Sequence, residues 1–99
     1  MIDWDRVHAR REELEETPFA SEIAVFNPRT GRVCGFADVG MRIWTLLETP
    51  RSAREIEAVL LVEFDVDPAL CRRELEAFLM QLLAEDLVVP LPAAPQAGA

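Results

Sequence analysis

Residues 26–47, FNPRTGRVCGFADVGMRIWTLL, indicate a β-hairpin that runs directly into a helix. The loop at residues 27–31 concentrates turn formers, because Pro28 presets φ at about −65° and Gly31 can take the positive φ of a bulged hairpin loop. Residues 23–26 and 33–36 are short, apolar and partly β-branched, which predicts a strand on each side of the loop. We expect Asp38 to end the second strand and to cap the following helix, since a carboxylate can accept from free first-turn amides.

Three helices are predicted after the hairpin. The first covers residues 39–47 and ends before Pro50, because the residue that precedes a proline is pushed out of the helical region. The second begins at Ser52, which forms a capping box with Glu55. The third begins with Asp67 as its cap and Pro68 at its first helical position. Residues 86–90 are expected to add a short extended piece that packs back on the core. The third helix carries the strongest apolar stripe, formed by Leu75, Phe78, Leu79, Leu82 and Leu83.

The predicted fold class is α+β, a winged helix-turn-helix in which a small antiparallel three-stranded sheet is followed by three helices. We assign residues 22–90 to this domain. Residues 1–21 form an N-terminal segment with an expected edge strand around residues 13–17, and Pro18 is placed in a turn because it cannot donate to a ladder. Residues 91–99 show no periodicity and are expected to be a disordered tail.

Composition narrows the classes of partner and the compartment. The formal charge of −8 on 99 residues repels phosphate backbones and favours basic or neutral partners. The N-terminus is acidic where a signal peptide would need a basic region and then an apolar run, so we expect a cytoplasmic protein. No apolar run has the length of a membrane span.

The motifs of known catalytic and metal sites are missing, so we predict no enzyme, no cofactor and no metal site. Cys34, Cys71 and His8 lack the spacing of metal ligands, and two unpaired thiols are expected in a reducing compartment. His8 has no serine or cysteine in a nucleophile motif to serve as a base. No P-loop, dinucleotide fingerprint or GxSxG elbow is present. Trp44 is expected to pack in the core rather than stack on a ligand.

Residues 27–68, together with residues 74–88, resemble the PqqD-like family. Its members, also called RiPP recognition elements, are peptide chaperones for ribosomally made natural products. The resemblance covers about residues 23–89, most of the chain. The family commonly has Leu-Asn where this chain has Phe36-Ala37. The matching features are Asn27-Pro28 with Gly31, Val39-Gly40, Ile43-Trp44, the helix start from Ser52 to Ile56, Phe64-Asp65-Val66, and Phe78-Leu79 before Leu82.

This resemblance implies a non-catalytic carrier that binds the leader of a precursor peptide as an added strand. The carrier then presents the peptide to a modifying enzyme, such as a radical SAM enzyme, a protease or a cyclase. Carried onto this chain, the receiving strand consists of Arg32, Val33, Cys34, Gly35 and Phe36. The helix wall is expected from Arg72, Arg73, Glu76 and Leu79.

Two alternatives remain open at the level of sequence. A winged-helix DNA-binding regulator would read a groove with residues 70–76, where Arg72 and Arg73 are offset by Glu74 and Glu76. A homodimer could form if the exposed strand pairs with its own copy.

Overall fold

The computed structural model describes residues 1–92 and has an α+β architecture, as the sequence predicted. Residues 93–99 of the predicted tail lie outside the described residues. Leu91, the first residue of that tail, is described, and its amide donates to the Val7 carbonyl at 2.8 Å. No helix within residues 1–92 is long and apolar enough to cross a membrane. The elements in this part of the chain are β1 (Val7–Arg10), β2 (Glu15–Phe19), β3 (Glu22–Asn27), β4 (Arg32–Ala37), α1 (Asp38–Leu46), β5 (Arg51–Ser52), α2 (Ala53–Glu63), α3 (Pro68–Ala84) and β6 (Val88–Pro90).

The predicted antiparallel sheet is present, with the strand order β2-β3-β4. Its hairpin loop has the expected chemistry, since Gly31 has a φ of 74° and the Asn27 carbonyl accepts from the Gly31 amide at 2.8 Å. A second antiparallel sheet, which sequence reasoning did not predict, has the order β5-β1-β6. The extended piece expected after α3 is confirmed as β6, which pairs with β1 in this second sheet.

Two local predictions were wrong. Pro18 lies inside β2, opposite Ile23, and the turn follows at Ala20, which has a φ of 52°. A proline fits there because β2 is at the edge of its sheet. Asp38 does not cap α1, because the cap position falls on Ala37, whose side chain makes no capping hydrogen bond. Asp38 itself has a φ of 54°, a left-handed conformation that aspartate tolerates better than most residues.

The other two helix starts were predicted correctly. Ser52 Oγ accepts from the Glu55 amide at 3.2 Å, and the Glu55 carboxylate accepts from the Ser52 amide at 2.8 Å. The Asp67 carboxylate accepts from the Leu70 amide at 3.0 Å, and Pro68 is the first residue of α3. Both caps satisfy amides that have no partner inside the helix, which fixes where each helix begins.

The core is centred on Trp44, whose side chain is only 1% exposed, as the sequence predicted for a packing role. Its ring lies 5.3 Å from the Phe36 ring, and the Arg10 guanidinium lies 4.1 Å from its centroid. The indole N–H donates to the Glu16 carboxylate, and Arg10 donates to the Trp44 carbonyl. One side chain therefore joins β1, β2, β4 and α1.

A buried histidine lies at the centre of the second sheet. His8 on β1 is 3% exposed, opposite Arg51 on one side and Pro90 on the other. Its Nδ1 has no hydrogen-bond partner among the described residues. Burial lowers the pKa of His8, because desolvation disfavours the charged imidazolium.

We therefore predict that the free energy of unfolding decreases as the pH falls from about 7 to about 5. As the pH falls through this window, His8 is protonated in the unfolded chain at a higher pH than in the folded protein. The contribution of His8 to stability is therefore fully present only above the unfolded pKa of about 6.5. Chemical denaturation at several pH values measures the slope, and His8→Gln should flatten it. An equal slope in both proteins would contradict the assignment. The ion-paired Glu57, Glu63 and Asp86, whose pKa values are lowered, lose their contributions only at more acidic pH.

Candidate functional site

The free edge of β4 is one of the two open edges of the β2-β3-β4 sheet. β4 pairs with β3 along its whole length and has no other strand beside it within residues 1–92. Its side chains alternate, so Phe36 and Cys34 point toward the core whereas Val33, which is 63% exposed, points to the opposite face. An open strand edge offers unpaired amides and carbonyls to another chain.

Helix α3 meets β4 through side chains at two points. At one end Arg32 Nε lies 3.1 Å from Glu85 Oε1, and further along the strand the Phe36 and Phe78 ring centroids are 5.4 Å apart. The free edge of β4 and the facing side of α3 therefore form a groove, which we call the β4–α3 groove. On the α3 side, Phe78 and Glu85, the residue directly after the helix, contact β4, and Leu70 and Glu74 line the cavity described next.

A cavity of about 140 Å³ lies between α1, α2 and α3, and Phe78 belongs both to its wall and to the contact with β4. It is open to solvent on one side and is lined by apolar side chains of α1, α2 and α3. Glu74 is the one charged residue among the described lining residues. Burial, together with the carboxylates of Glu57 and Glu74, raises the pKa of Cys71 at the cavity wall, so this thiol stays protonated. The wall includes Val39, Gly40, Leu70, Cys71, Glu74 and Phe78.

The opposite end of the groove is fixed by a polar cluster. Asn27 Nδ2 donates to the carbonyls of Glu85 and Asp86, at 3.1 and 3.0 Å, so the hairpin is attached to the end of α3. The Asp86 carboxylate accepts from Arg11 at 2.6 Å and from Arg29 at 2.9 Å. These two arginines lower the pKa of Asp86. Sequence reasoning treated Asn27 as a turn residue only and missed this contact with α3.

The structure places the predicted strand residues together on β4, and it gives Arg72, one of the predicted helix residues, partners outside that strand. Arg72 contacts Glu57 at 2.9 Å and lies 5.0 Å from the Trp4 ring centroid, near the N-terminus of the chain. Arg72 and Glu76 are each two residues from Glu74, which places both about 160° around the helix axis from it. Leu79 is fully buried, and Arg73 is exposed.

The sequence contained a spacing pattern from which the residues on the helix side of the groove could have been predicted. Leu70, Glu74 and Phe78 follow one another at intervals of four, which puts them on one side of the helix. The apolar stripe identifies the buried face of α3, but it does not tell which flank of that face lies next to β4.

The described residues contain no arrangement suited to a metal ion, since no three His, Cys, Asp or Glu side chains within residues 1–92 come together. Both cysteines are unpaired, as predicted, with Cys71 buried and Cys34 half-buried. Burial, followed by the charge of Glu85, raises the pKa of the Cys34 thiol as well.

Comparison with known proteins identifies matches in family and in fold. Residues 22–88 match the family model described as coenzyme PQQ synthesis protein D (PqqD). A structure described as TbiB1 in complex with the TbiA(beta) leader peptide is 27% identical to this chain, with a TM-score of 0.75. The alignment covers 86% of this chain and 99% of the TbiB1 chain. A structure described as lasso peptide synthetase B1 complexed with the leader peptide is 18% identical, has a TM-score of 0.72 and shows the same fold. The alignment covers 84% of this chain and 98% of the synthetase chain. No curated protein matches the sequence.

We predict that Gly40→Ala displaces the Phe78 ring and reshapes the cavity. A Cβ at residue 40 would lie 3.0 Å from Phe78 Cε1, whereas a Cβ at Gly35 would meet nothing within 4 Å. The higher helix propensity of alanine, worth up to about 1 kcal/mol, offsets part of the cost of this contact. The Phe78 ring signals in NMR spectra should therefore shift in Gly40→Ala and remain in place in the control Gly35→Ala. Unchanged Phe78 signals in Gly40→Ala would refute the close packing.

Proposed function

This chain belongs to the PqqD family, and from that premise we propose that it binds the leader region of a ribosomally made precursor peptide. The observation that carries the proposal is the free edge of β4 beside α3, with an apolar cavity at one end of the groove. TbiB1, similar to this chain over nearly its whole length, has been solved with a leader peptide. We infer the same class of ligand here.

Binding would occur by strand addition. A peptide that pairs with β4 satisfies the unpaired amides and carbonyls of that edge, so the main chain contributes affinity that does not depend on sequence. Alternate peptide side chains would then face the groove, and the others would face the side of the sheet that carries Val33. Sequence preference comes from the groove, where Phe78 and the cavity offer an apolar surface.

The two edges of the sheet differ in a way that favours β4 as the receiving strand. The β2 edge contains Pro18, which has no amide hydrogen to donate, and the acidic side chains of Glu15 and Glu16. Proline and charge are both features that discourage pairing at a sheet edge. β4 has no proline, and Arg32 is its one charged residue.

The role we propose is presentation without catalysis. The chain would hold the leader while a separate enzyme, such as a radical SAM enzyme, a protease or a cyclase, modifies the rest of the peptide. Tethering raises the effective concentration of the peptide at that enzyme, so a carrier can accelerate modification without a reactive group of its own. The homodimer that could form through the same edge would compete with the peptide.

DNA binding is not favoured. In the helix that a winged-helix regulator would place in the major groove, Arg72 is held by Glu57, and Glu74 and Glu76 are acidic. The net charge of −8 opposes contact with phosphates. The family match likewise points to a peptide ligand and away from a DNA-binding regulator.

Strand addition has a distinct signature in amide hydrogen exchange. We predict that alternate amides of β4 gain protection when the labelled protein is mixed with the leader of any short peptide encoded beside it. Only every second amide of an edge strand points outward, so uniform protection or none would oppose the mechanism. Duplex DNA serves as the control and should leave the same amides unchanged.

The side of α3 that faces the peptide can be tested with two matched substitutions. Leu70 lines the cavity and is 40% exposed, while Met80 is 44% exposed and contacts the N-terminal amine. We expect Leu70→Ala to weaken peptide binding by roughly 1–2 kcal/mol, about five- to thirty-fold, because apolar contact is lost. Met80→Ala should bind as the unaltered protein does in a calorimetric titration. Equal losses in both variants would show that the peptide does not occupy this side of α3.

A further inference from the structure

The carboxylate of Glu74 is unusual because it stands alone on an apolar surface. All other described residues that line the cavity are apolar, glycine or cysteine. None of the ion pairs within residues 1–92 includes Glu74. The Glu85 carboxylate at the other end of the groove differs, since it is 14% exposed and already paired with Arg32. Glu74 is therefore the acidic group of the groove that is ready to accept a new partner.

The charges around the cavity do not neutralise this carboxylate. Arg42 is bound to Glu63 at 2.5 Å, and Arg72 is bound to Glu57. Arg73 is the next residue along the chain and is exposed to solvent. Asp38 precedes the lining residue Val39, and Asp65 and Asp67 flank the lining residue Val66. These three aspartates add negative charge at the rim of the cavity.

A bound peptide would change the energetics of Glu74. A side chain that fills the cavity covers the surface around the carboxylate and removes part of its water. An ion that loses water without gaining a partner weakens binding. A cation that hydrogen-bonds to the carboxylate compensates for the lost hydration. The groove thus penalises a wholly apolar or acidic peptide segment and favours one with a positive charge at this position.

Resting on the proposed function, we propose that Glu74 is a specificity-determining residue that selects leader peptides carrying a lysine or arginine next to the apolar side chain in the cavity. The long aliphatic stems of these residues suit the site. Such a stem can lie along Val39 and Leu70 while its charged end reaches Glu74 and the solvent at the rim. The position of Glu74 at one end of the groove also gives the bound strand a preferred direction, because Glu85 at the other end is occupied.

Selection from a random peptide library tests this proposal even though the natural ligand is unidentified. A displayed library of random twelve-residue peptides is selected on the immobilised full chain, on Glu74→Gln and on Glu74→Lys. The matched control is Glu76→Gln, which removes the same charge from the opposite side of the same helix. Glu74 is exposed and Glu76 is half-buried, so neither substitution reaches the core, and circular dichroism checks that each variant is folded.

We expect the unaltered chain and Glu76→Gln to enrich peptides with lysine or arginine beside a large apolar residue. Glu74→Gln should lose the basic preference but keep the apolar one, and Glu74→Lys should enrich aspartate or glutamate at that position. For one enriched peptide, Glu74→Gln should weaken binding about tenfold or more, as expected for a hydrogen bond to a charged group.

Two results would overturn the proposal, and they differ in what else they affect. If Glu74→Gln enriches the same basic peptides as the unaltered chain, Glu74 does not select them, and peptide binding at β4 still stands. If the unaltered chain enriches no peptide and shows no protection of β4 with the encoded leader, the proposed function fails as well.

Discussion

The buried indole of Trp44 is the contact on which the remaining architecture depends. It lies between the Phe36 ring and the Arg10 guanidinium, and its N–H donates to Glu16. Burial lowers the pKa of Arg10, but the neighbouring Glu16 carboxylate opposes this shift. The Glu16 side chain is 36% exposed, so this ion pair is partly solvated, and the cluster is held mainly by the packing of the buried indole. It fixes the two sheets relative to α1.

The same aromatic cluster extends into the proposed binding groove. Phe36 contacts Trp44 on one side and Phe78 of α3 on the other, so the direction of β4 relative to α3 is set inside the core. At the far end Asn27 attaches the hairpin to the last carbonyls of α3. A groove held at both ends before any ligand arrives loses little conformational entropy on binding, which raises the affinity available from a short peptide.

The parts of the fold that were predicted from sequence are those specified by neighbouring residues. Gly31 in the loop, the Ser52–Glu55 capping box and the Asp67-Pro68 helix start each work within a few residues of the chain. The second sheet could not be found in this way, because β5 has two residues, β6 has three, and both pair with β1 from distant positions. Short strands carry little alternation to detect. The partners of the predicted helix residues could not be read from the sequence for a related reason. The stripe on α3 gave the buried face correctly, but nothing in the sequence showed that Arg72 pairs with Glu57 and lies near Trp4. Which flank of a helix meets a strand is decided by tertiary packing, here by the Phe36–Phe78 contact and the Asn27 hydrogen bonds.

The frame of this groove includes two backbone positions that are unfavourable by themselves. Asp38, where β4 enters α1, and Asp86, where α3 leads to β6, have φ values of 54° and 59°. Left-handed backbone costs a non-glycine residue roughly 1 kcal/mol and persists only where its surroundings enforce it. At Asp86 the surroundings are Arg11 and Arg29, which bind its carboxylate. At Asp38 the preceding Ala37 supplies no side-chain cap to the helix amides. The strand therefore turns into α1 without a side-chain cap at Ala37, and this turn brings Val39 and Gly40 to the wall of the cavity.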